Sequence, residues 1–452
     1  MLRTLWKWLA AGFSVVVILL AIAIGLFRLL LPLVPQYHER IEEFASEAAG
    51  TPVRIEGIDA RWGLTGPELR FSNAQLLTAG STEVLLSAQQ GSVVLDLGAL
   101  LRTGKLQAGQ IVLDGLRLEV VRDAGKKWQV GGRTLQAGSG SAPRRLSVGL
   151  REAVVVFRDE ISGAGPWRFE DVDLNVELTK NRLRVDGLMN LPPDLGGEVE
   201  ASLEADGDLA SPETMQWQVY MRGQDLLLDG WRALMPADKL TPAAGNGDIV
   251  AWLALGGNRL QQASLQFDLR DLALAKNNEI IRQHNLARGR IEFDQVDSGW
   301  QASGRDLVMA SDGFTWPTAT FAIEQVGGSD EDGLLYADID YLRLQDIVPL
   351  VDWLPDATLR TRILELEPRG IVEDLSFRMT REAGRVDSYS LRAGFSDLGA
   401  NAIDKLPGFD SARGNVRMDA FGGRLQLDPS DMEIDLPQIM GRPVNAQSVN
   451  GL

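Results

Sequence analysis

The chain contains no cysteine and only two histidines, His38 and His284, among 452 residues. Without cysteine there are no disulfides, no thiolate nucleophile and no cysteine-based zinc site. Two isolated histidines leave little with which to build acid–base or metal chemistry. Basic residues are also scarce: 45 Lys and Arg stand against 62 Asp and Glu, a net charge of −17. The first 28 residues hold Arg3, Lys7 and Arg28 and no acid, so the rest carries 62 acidic against 42 basic residues, or −20. A body of that sign repels phosphate backbones, and nucleic acid is disfavoured as a partner. Helical periodicity and long linkers are sparse too.

What is present begins with an apolar run. Trp8 to Phe27 is uncharged and mostly apolar, bounded by Lys7 and Arg28. Twenty such residues at 1.5 Å each span about 30 Å, the hydrocarbon thickness of a bilayer. A transmembrane helix is expected over residues 8–31, with residues 1–7 in the cytoplasm by the positive-inside rule. The alternative is a cleaved signal peptide, for which Ala21-Ile22-Ala23 offers an A-x-A site. Signal h-regions run about 7–15 residues, shorter than this one, so an uncleaved anchor is the expectation. Pro32 and Pro35 end the run. Tyr37, Ile41, Phe44, Ala45 and Ala48 then fall at helical spacing, predicting a short amphipathic helix over 36–50. It either plugs the next domain or touches the membrane surface.

From Val53 onward the dominant period is two. Val199, Ala201, Leu203 and Ala205 alternate with Glu200, Ser202, Glu204 and Asp206. Leu265, Phe267 and Leu269 alternate with polar neighbours, as do Ile291 and Phe293, and Val416, Met418 and Ala420. Such alternation marks strands with one dry and one wet face. Turn signals at Asp186-Gly187, Asp206-Gly207, Gly256-Gly257-Asn258 and Gly422-Gly423 suggest antiparallel hairpins. Val348–Leu354 and Leu359–Leu366 are helical candidates, and Gly230–Met235 one short turn. The fold class expected is mainly β: an elongated, curled antiparallel sheet over residues 51–452, with few short helices. A dry face without covering helices requires closure into a sandwich or cover by an apolar ligand. Val199, Leu203, Leu265, Phe267, Ile291 and Phe293 are the candidate lining of an apolar groove.

Chemical motifs do not assemble. Gly98 to Lys105 approaches a phosphate loop, but its spacing is one residue too long and Leu106 replaces the magnesium-binding hydroxyl. Asp330-Glu331-Asp332 lacks the glycine and distal glutamate of a calcium loop. Neither histidine has a suitably spaced acid and nucleophile. No catalytic residue, metal ligand or cofactor site is read from the sequence.

The first 130 residues hold, in order, Gly50-Thr51-Pro52-Val53-Arg54-Ile55, Trp62, Gly66-Pro67-Glu68-Leu69, Val94-Leu95-Asp96-Leu97, Leu100 to Leu106, Ile111 to Leu116 and Arg122-Asp123-Ala124-Gly125 before Trp128. In that order and spacing these fragments resemble the AsmA-like family of Gram-negative envelope proteins. Within that family the chain is similar to the YhdP group. Leu191-Pro192-Pro193-Asp194-Leu195-Gly196-Gly197, Leu364-Glu365-Leu366-Glu367-Pro368-Arg369-Gly370 and Phe395 to Leu398 through Pro407-Gly408-Phe409 carry that similarity.

The resemblance implies an inner-membrane anchor and a periplasmic β-groove that conducts phospholipids toward the outer membrane, supporting its lipid homeostasis and barrier. It implies phospholipids, the inner membrane, and outer-membrane or periplasmic proteins as partners. It also implies that the chain is the N-terminal part of a longer protein, truncated near Ser448 to Leu452. The competing expectation is a non-conducting, TamB-like assembly factor for outer-membrane proteins, binding partners along strand edges. A hydrolase ranks last, for want of nucleophile–base sets.

Overall fold

In the computed structural model the described residues are 25, 37–49, 51–63, 67–78, 84–96, 104, 108–134, 145–208, 211–236, 238–277, 279–327, 332–353, 357–403, 407–428, 432–435 and 444–445. Residues 1–7, the expected membrane segment 8–31 apart from Gly25, the stretch 98–105 apart from Gly104, the loop 137–144 and residues 448–452 lie outside them. Among the described residues no helix is long and apolar enough to cross a membrane. The chain divides into two units, Met1–Pro192 and Pro193–Leu452. Both are mainly β.

In the first unit, helix α1 (His38–Ala49) leads into strand β1 (Val53–Trp62). The helix serves the strand's outer edge: Glu42 Oε1 accepts from Ile55 N at 2.6 Å and Ser46 Oγ from Val53 N at 2.8 Å. Unpaired strand N–H groups invite stray pairing, and these side chains satisfy two of them. The helix thus meets the edge of β1 through polar side chains, while its apolar Tyr37 and Phe44 remain exposed.

The ladder continues through β2 (Pro67–Leu77), β3 (Val84–Leu95), β4 (Ala108–Asp114), β5 (Arg117–Arg122), the short β6 (Trp128–Val130) and β7 (Arg133–Thr134), β8 (Arg145–Asp159), β9 (Trp167–Thr179) and β10 (Arg182–Asn190). Strand β8 departs from the antiparallel expectation. It runs parallel to β4 over Ser147–Arg151 and to β5 over Val154–Asp159. Parallel neighbours need a long return connection, which the segment through β6 and β7 supplies. Asp186-Gly187, read as a turn, lies inside β10, where Gly187 pairs with Leu174. Pairing along β9 overrides the local turn preference of that dipeptide.

The second unit is one curled, wholly antiparallel ladder. Its strands are β11 (Glu198–Asp206), β12 (Gln216–Leu227), β13 (Thr241–Gly256), β14 (Arg259–Lys276), β15 (Glu279–Val296), β16 (Gly299–Ser311), β17 (Phe314–Thr315) and β18 (Ala319–Val326). They continue as β19 (Gly333–Arg343), β20 (Arg369–Glu382), β21 (Arg385–Ala400), β22 (Gly408–Asp419), β23 (Gly422–Asp428), β24 (Glu433–Asp435) and β25 (Val444–Asn445). Between β19 and β20 come α2 (Leu344–Ile347), a 3-10 helix (Val348–Trp353) and α3 (Ala357–Leu366). The helical candidates thus form nearly where expected, and Gly230–Leu234 is a 3-10 turn.

One local device recurs along the strands. Asp171, Asp225, Asp271, Asp306, Asp374 and Asp397 all adopt φ near +50°, each followed by Val or Leu. Aspartate tolerates the left-handed region better than most residues. Register shifts accompany most of these sites, including Gly223/Leu226, Glu373/Ser376 and Phe395/Leu398, which makes them β-bulges. A bulge bends its strand and raises the local twist. The residue after the aspartate turns inward: Val172, Leu226 and Leu272 are buried. Repetition at one end of β12, β14, β16, β20 and β21 curls the sheet of the second unit along that margin. Tight hairpins, such as β13–β14 and β22–β23, line the opposite margin.

Candidate functional site: an apolar sheet face

Directly paired residues on neighbouring strands point to the same side of a sheet, and residues two apart on one strand do likewise. In the second unit one row of partners reads Leu203, Val219, Leu253, Ala263, Phe293, Ala302, then Ile323, Ala337, Phe377, Leu391, Met418 and Gly423. Twelve successive strands, β11 to β16 and β18 to β23, contribute without one polar side chain. A second row, two residues along, reads Ala201, Met221, Ala251, Leu265, Ile291, Gly304, Phe321, Ile339 and Leu375. A third contains Val199, Gly223, Ile249, Phe267 and Gly289. The intervening row, on the opposite face, starts Glu204, Gln218, Ala254, Gln262, Asp294, Gln301 and Glu324.

All six sequence-predicted residues therefore share one face. Leu203 and Phe293 belong to the first row, Leu265 and Ile291 are direct partners in the second, and Val199 and Phe267 stand in the third. Their exposure differs. Val199 is buried near the bulge margin, Leu203, Phe267, Ile291 and Phe293 are half-buried, and Leu265 is 38% exposed. The pattern holds generally: Leu269, Ala287, Tyr341 and Phe395, toward the bulges, are buried, whereas Met221, Met418 and Leu425 are exposed. The apolar face is thus sealed along one margin and open toward the hairpins. Across β20–β24 it deepens into a concavity of about 490 Å³ lined only by apolar residues, among them Leu391, Phe395, Phe409, Val416, Leu427 and Met432.

The first unit repeats the arrangement on a smaller scale. Ala60, Leu69, Val93, Ile111, Val148, Val176 and Val185 form an apolar row across seven strands. The parallel strand β8 keeps this row intact, because parallel partners also face the same way.

Two buried carboxylates fasten the helical segment between β19 and β20 over the sealed margin. Asp346 accepts from Trp316 Nε1 at 2.9 Å and pairs with Arg282 at 3.2 Å and Arg343 at 3.5 Å. Asp352 pairs with Lys276 at 2.8 Å and accepts from Leu240 N at 3.0 Å. Burial alone raises the Asp352 carboxyl, but the bonds from Lys276 and Leu240 outweigh it and hold it below its ordinary value. Beneath lie Trp316, Ala319 and Tyr341, packed with Ile347.

His284 is buried in the same region, and neither ring nitrogen has a hydrogen-bond partner among the described residues. Burial pushes its pKa below the ordinary 6.5, with Arg282 and Arg343 adding to the effect and Asp346 opposing it. A histidine kept neutral when folded binds fewer protons than when unfolded, so stability is lost as pH falls through about 6.5. Between pH 7 and 5 the second unit loses stability in denaturant titrations, and His284→Leu flattens that slope; an unchanged slope refutes the assignment. His38 lies in the other unit, 3.3 Å from Glu42.

The aspartate bulges and the Asp346 clasp were not found from sequence, although the recurring Asp-Leu dipeptide was a visible signal. Two of the fragments that carried the family resemblance pack against this margin. Leu195 is fully buried and its carbonyl accepts from Trp231 Nε1 at 3.0 Å. Gly370, at φ +109°, packs against the bulge backbone, where an added Cβ would stand 2.4 Å from Asp397 O. These fragments build the sealed margin.

The geometry defines a class: mainly β proteins whose long sheets carry an unbroken apolar face. Over residues 1–451 the chain matches the family described as YhdP protein. It belongs to that family, within the AsmA-like group. No curated protein and no solved structure matches it.

Proposed function

We propose that this protein conducts phospholipids between the inner and outer membranes of a Gram-negative envelope. Residues 8–31 anchor it in the inner membrane, and the β-structure after residue 51 lies in the periplasm. The observation that carries this reading is the apolar row from Leu203 to Gly423, uninterrupted over twelve strands. Acyl chains lying on it escape water at about 25 cal/mol per Å² of apolar surface. The absence of polar side chains along the rows removes fixed traps, so a chain slides without breaking hydrogen bonds. Headgroups ride at the hydrated margin beside Met418 and Leu425. The work needs no catalytic step, and we assign none.

Native mass spectrometry of the intact chain, released from neutral detergent, tests this. Co-purified phospholipid, displaced by added lipid, is the expected result. Protein free of lipid but bound stoichiometrically to a protein partner would overturn it in favour of an assembly factor.

A further inference from the structure

The opposite, hydrated face carries an arrangement that lipid conduction does not use. Arg392 on β21 is the direct partner of Arg417 on β22, which is the direct partner of Arg424 on β23. Three guanidinium groups therefore stand side by side on one face, at strand spacings of about 4.8 Å. Like charges directly opposite each other are unfavourable in a sheet. All three are exposed, and among the described residues none of them makes an ion pair. This happens in a body whose net charge is −20 beyond residue 28, where acids to pair with them abound.

A second observation lies at the tip of the same hairpin. Phe421 is 100% exposed. Its position is not loose: Phe421 N donates to Asp419 Oδ1 at 2.9 Å, fixing the turn. On the other face of the hairpin Met418 and Leu425 are 37% and 49% exposed. An aromatic tip with apolar flanks and arginines set back from it is the composition that settles at a membrane interface. The spacing agrees. The Arg417–Arg424 pair lies about three residues behind Phe421, or roughly 10 Å at strand rise. Apolar groups of interfacial segments enter about 5–10 Å past the headgroups. With Phe421 at the acyl boundary, the arginines sit at the phosphates.

We propose that the β22–β23 hairpin, together with Arg392, is a docking surface for an anionic lipid bilayer. Its occupant is the membrane surface itself, held by phosphate–guanidinium contacts and by insertion of Phe421. The inference stands apart from lipid conduction, since the arginine face and the Phe421 tip that carry it belong to none of the apolar rows.

The chain has no native cysteine, so Ala420→Cys takes a single environment-sensitive fluorophore. The labelled full-length chain, held in phosphatidylcholine nanodiscs, is titrated with vesicles. Phosphatidylglycerol vesicles are expected to shift the emission to the blue, and phosphatidylcholine vesicles to leave it unchanged. Salt near 0.5 M shortens the screening length below about 5 Å and suppresses the shift. Each arginine at an anionic surface contributes about fivefold, so replacing all three by glutamine weakens apparent affinity about a hundredfold. Phe421→Ser weakens it about tenfold without altering the salt dependence. If the triple variant does not fold by circular dichroism, the salt series and Phe421→Ser decide. Equal shifts with both vesicle types, indifference to salt, or a shift with polyglutamate but none with vesicles overturns the proposal; the last outcome marks an acidic protein as the occupant. Loss of this signal with co-purified lipid retained separates its failure from that of lipid conduction.

Discussion

Leu265→Asp and Ile291→Asp, singly or together, are expected to abolish photocrosslinking of phospholipid to the second unit. These two residues are direct cross-strand partners in the middle of the nine-strand apolar row. A carboxylate there puts a charge on the path of an acyl chain. An unpaired ionised carboxylate in an apolar setting costs several kcal/mol. At about 1.4 kcal/mol per decade, occupancy past that point falls at least a hundredfold. The matched controls are Gln266→Asp and Ser264→Asp, one residue away on the same strand but on the opposite face. They leave crosslinking at the wild-type yield. The face, rather than the strand, is under test, and because Leu265 is partly exposed its substitution disturbs the fold little. Folded variants that crosslink lipid as well as wild type would remove the apolar face from the function.

The second large effect concerns Asp346. Asp346→Ala takes the acceptor from Trp316 Nε1 and leaves Arg282 and Arg343 as partly buried charges without their carboxylate. Removing one member of a buried pair costs about 3–5 kcal/mol, because the remaining charge is left uncompensated. Arg282 also donates to Gln345 O at 3.1 Å, and Gln345 Oε1 accepts from Gly370 N at 2.9 Å, so the clasp ties α2 to β15 and β20. Hydrogen exchange is the informative measurement. Amides of residues 341–353 are expected to lose protection by that amount, while those of β1–β5 in the first unit keep theirs. Asp346→Asn keeps an acceptor for Trp316 and falls between. A loss below about 1 kcal/mol in the alanine variant would show that the helical segment is held by Trp316, Tyr341 and Ile347 packing alone.

Much of the fold was written in local pattern. Alternation at Val199–Ala205, Leu265–Leu269 and Ile291–Phe293 specified strands with two unlike faces, because side chains on extended backbone alternate by geometry. The shortage of cysteine and histidine excluded thiol chemistry and left reaction centres hard to build. Ordered fragments such as Leu191 to Gly197 pointed to the right family before the geometry gave them a task. Asp186-Gly187 misled, since its dipeptide preference is weaker than pairing with Leu174 inside a sheet.

Other features depend on which strands meet and in what register. Leu203 and Met418 lie 215 residues apart, and only the accumulated pairing puts them in one row. A slip of one residue at any strand would send its apolar side chains to the wet face. The hairpin turns and aspartate bulges that set this register act on backbone dihedrals, which a hydrophobicity pattern does not record. The same holds for β8, whose parallel direction follows from a long return, and for the clasp joining Arg282, Trp316 and Asp346 from separate elements. The arginine row at Arg392, Arg417 and Arg424 looks like three scattered charges until the strands pair. Sequence alone determined that each strand has a dry side and a wet side. Tertiary structure decided that within each unit the dry sides join into one surface, because register is fixed by contacts between residues far apart in the chain.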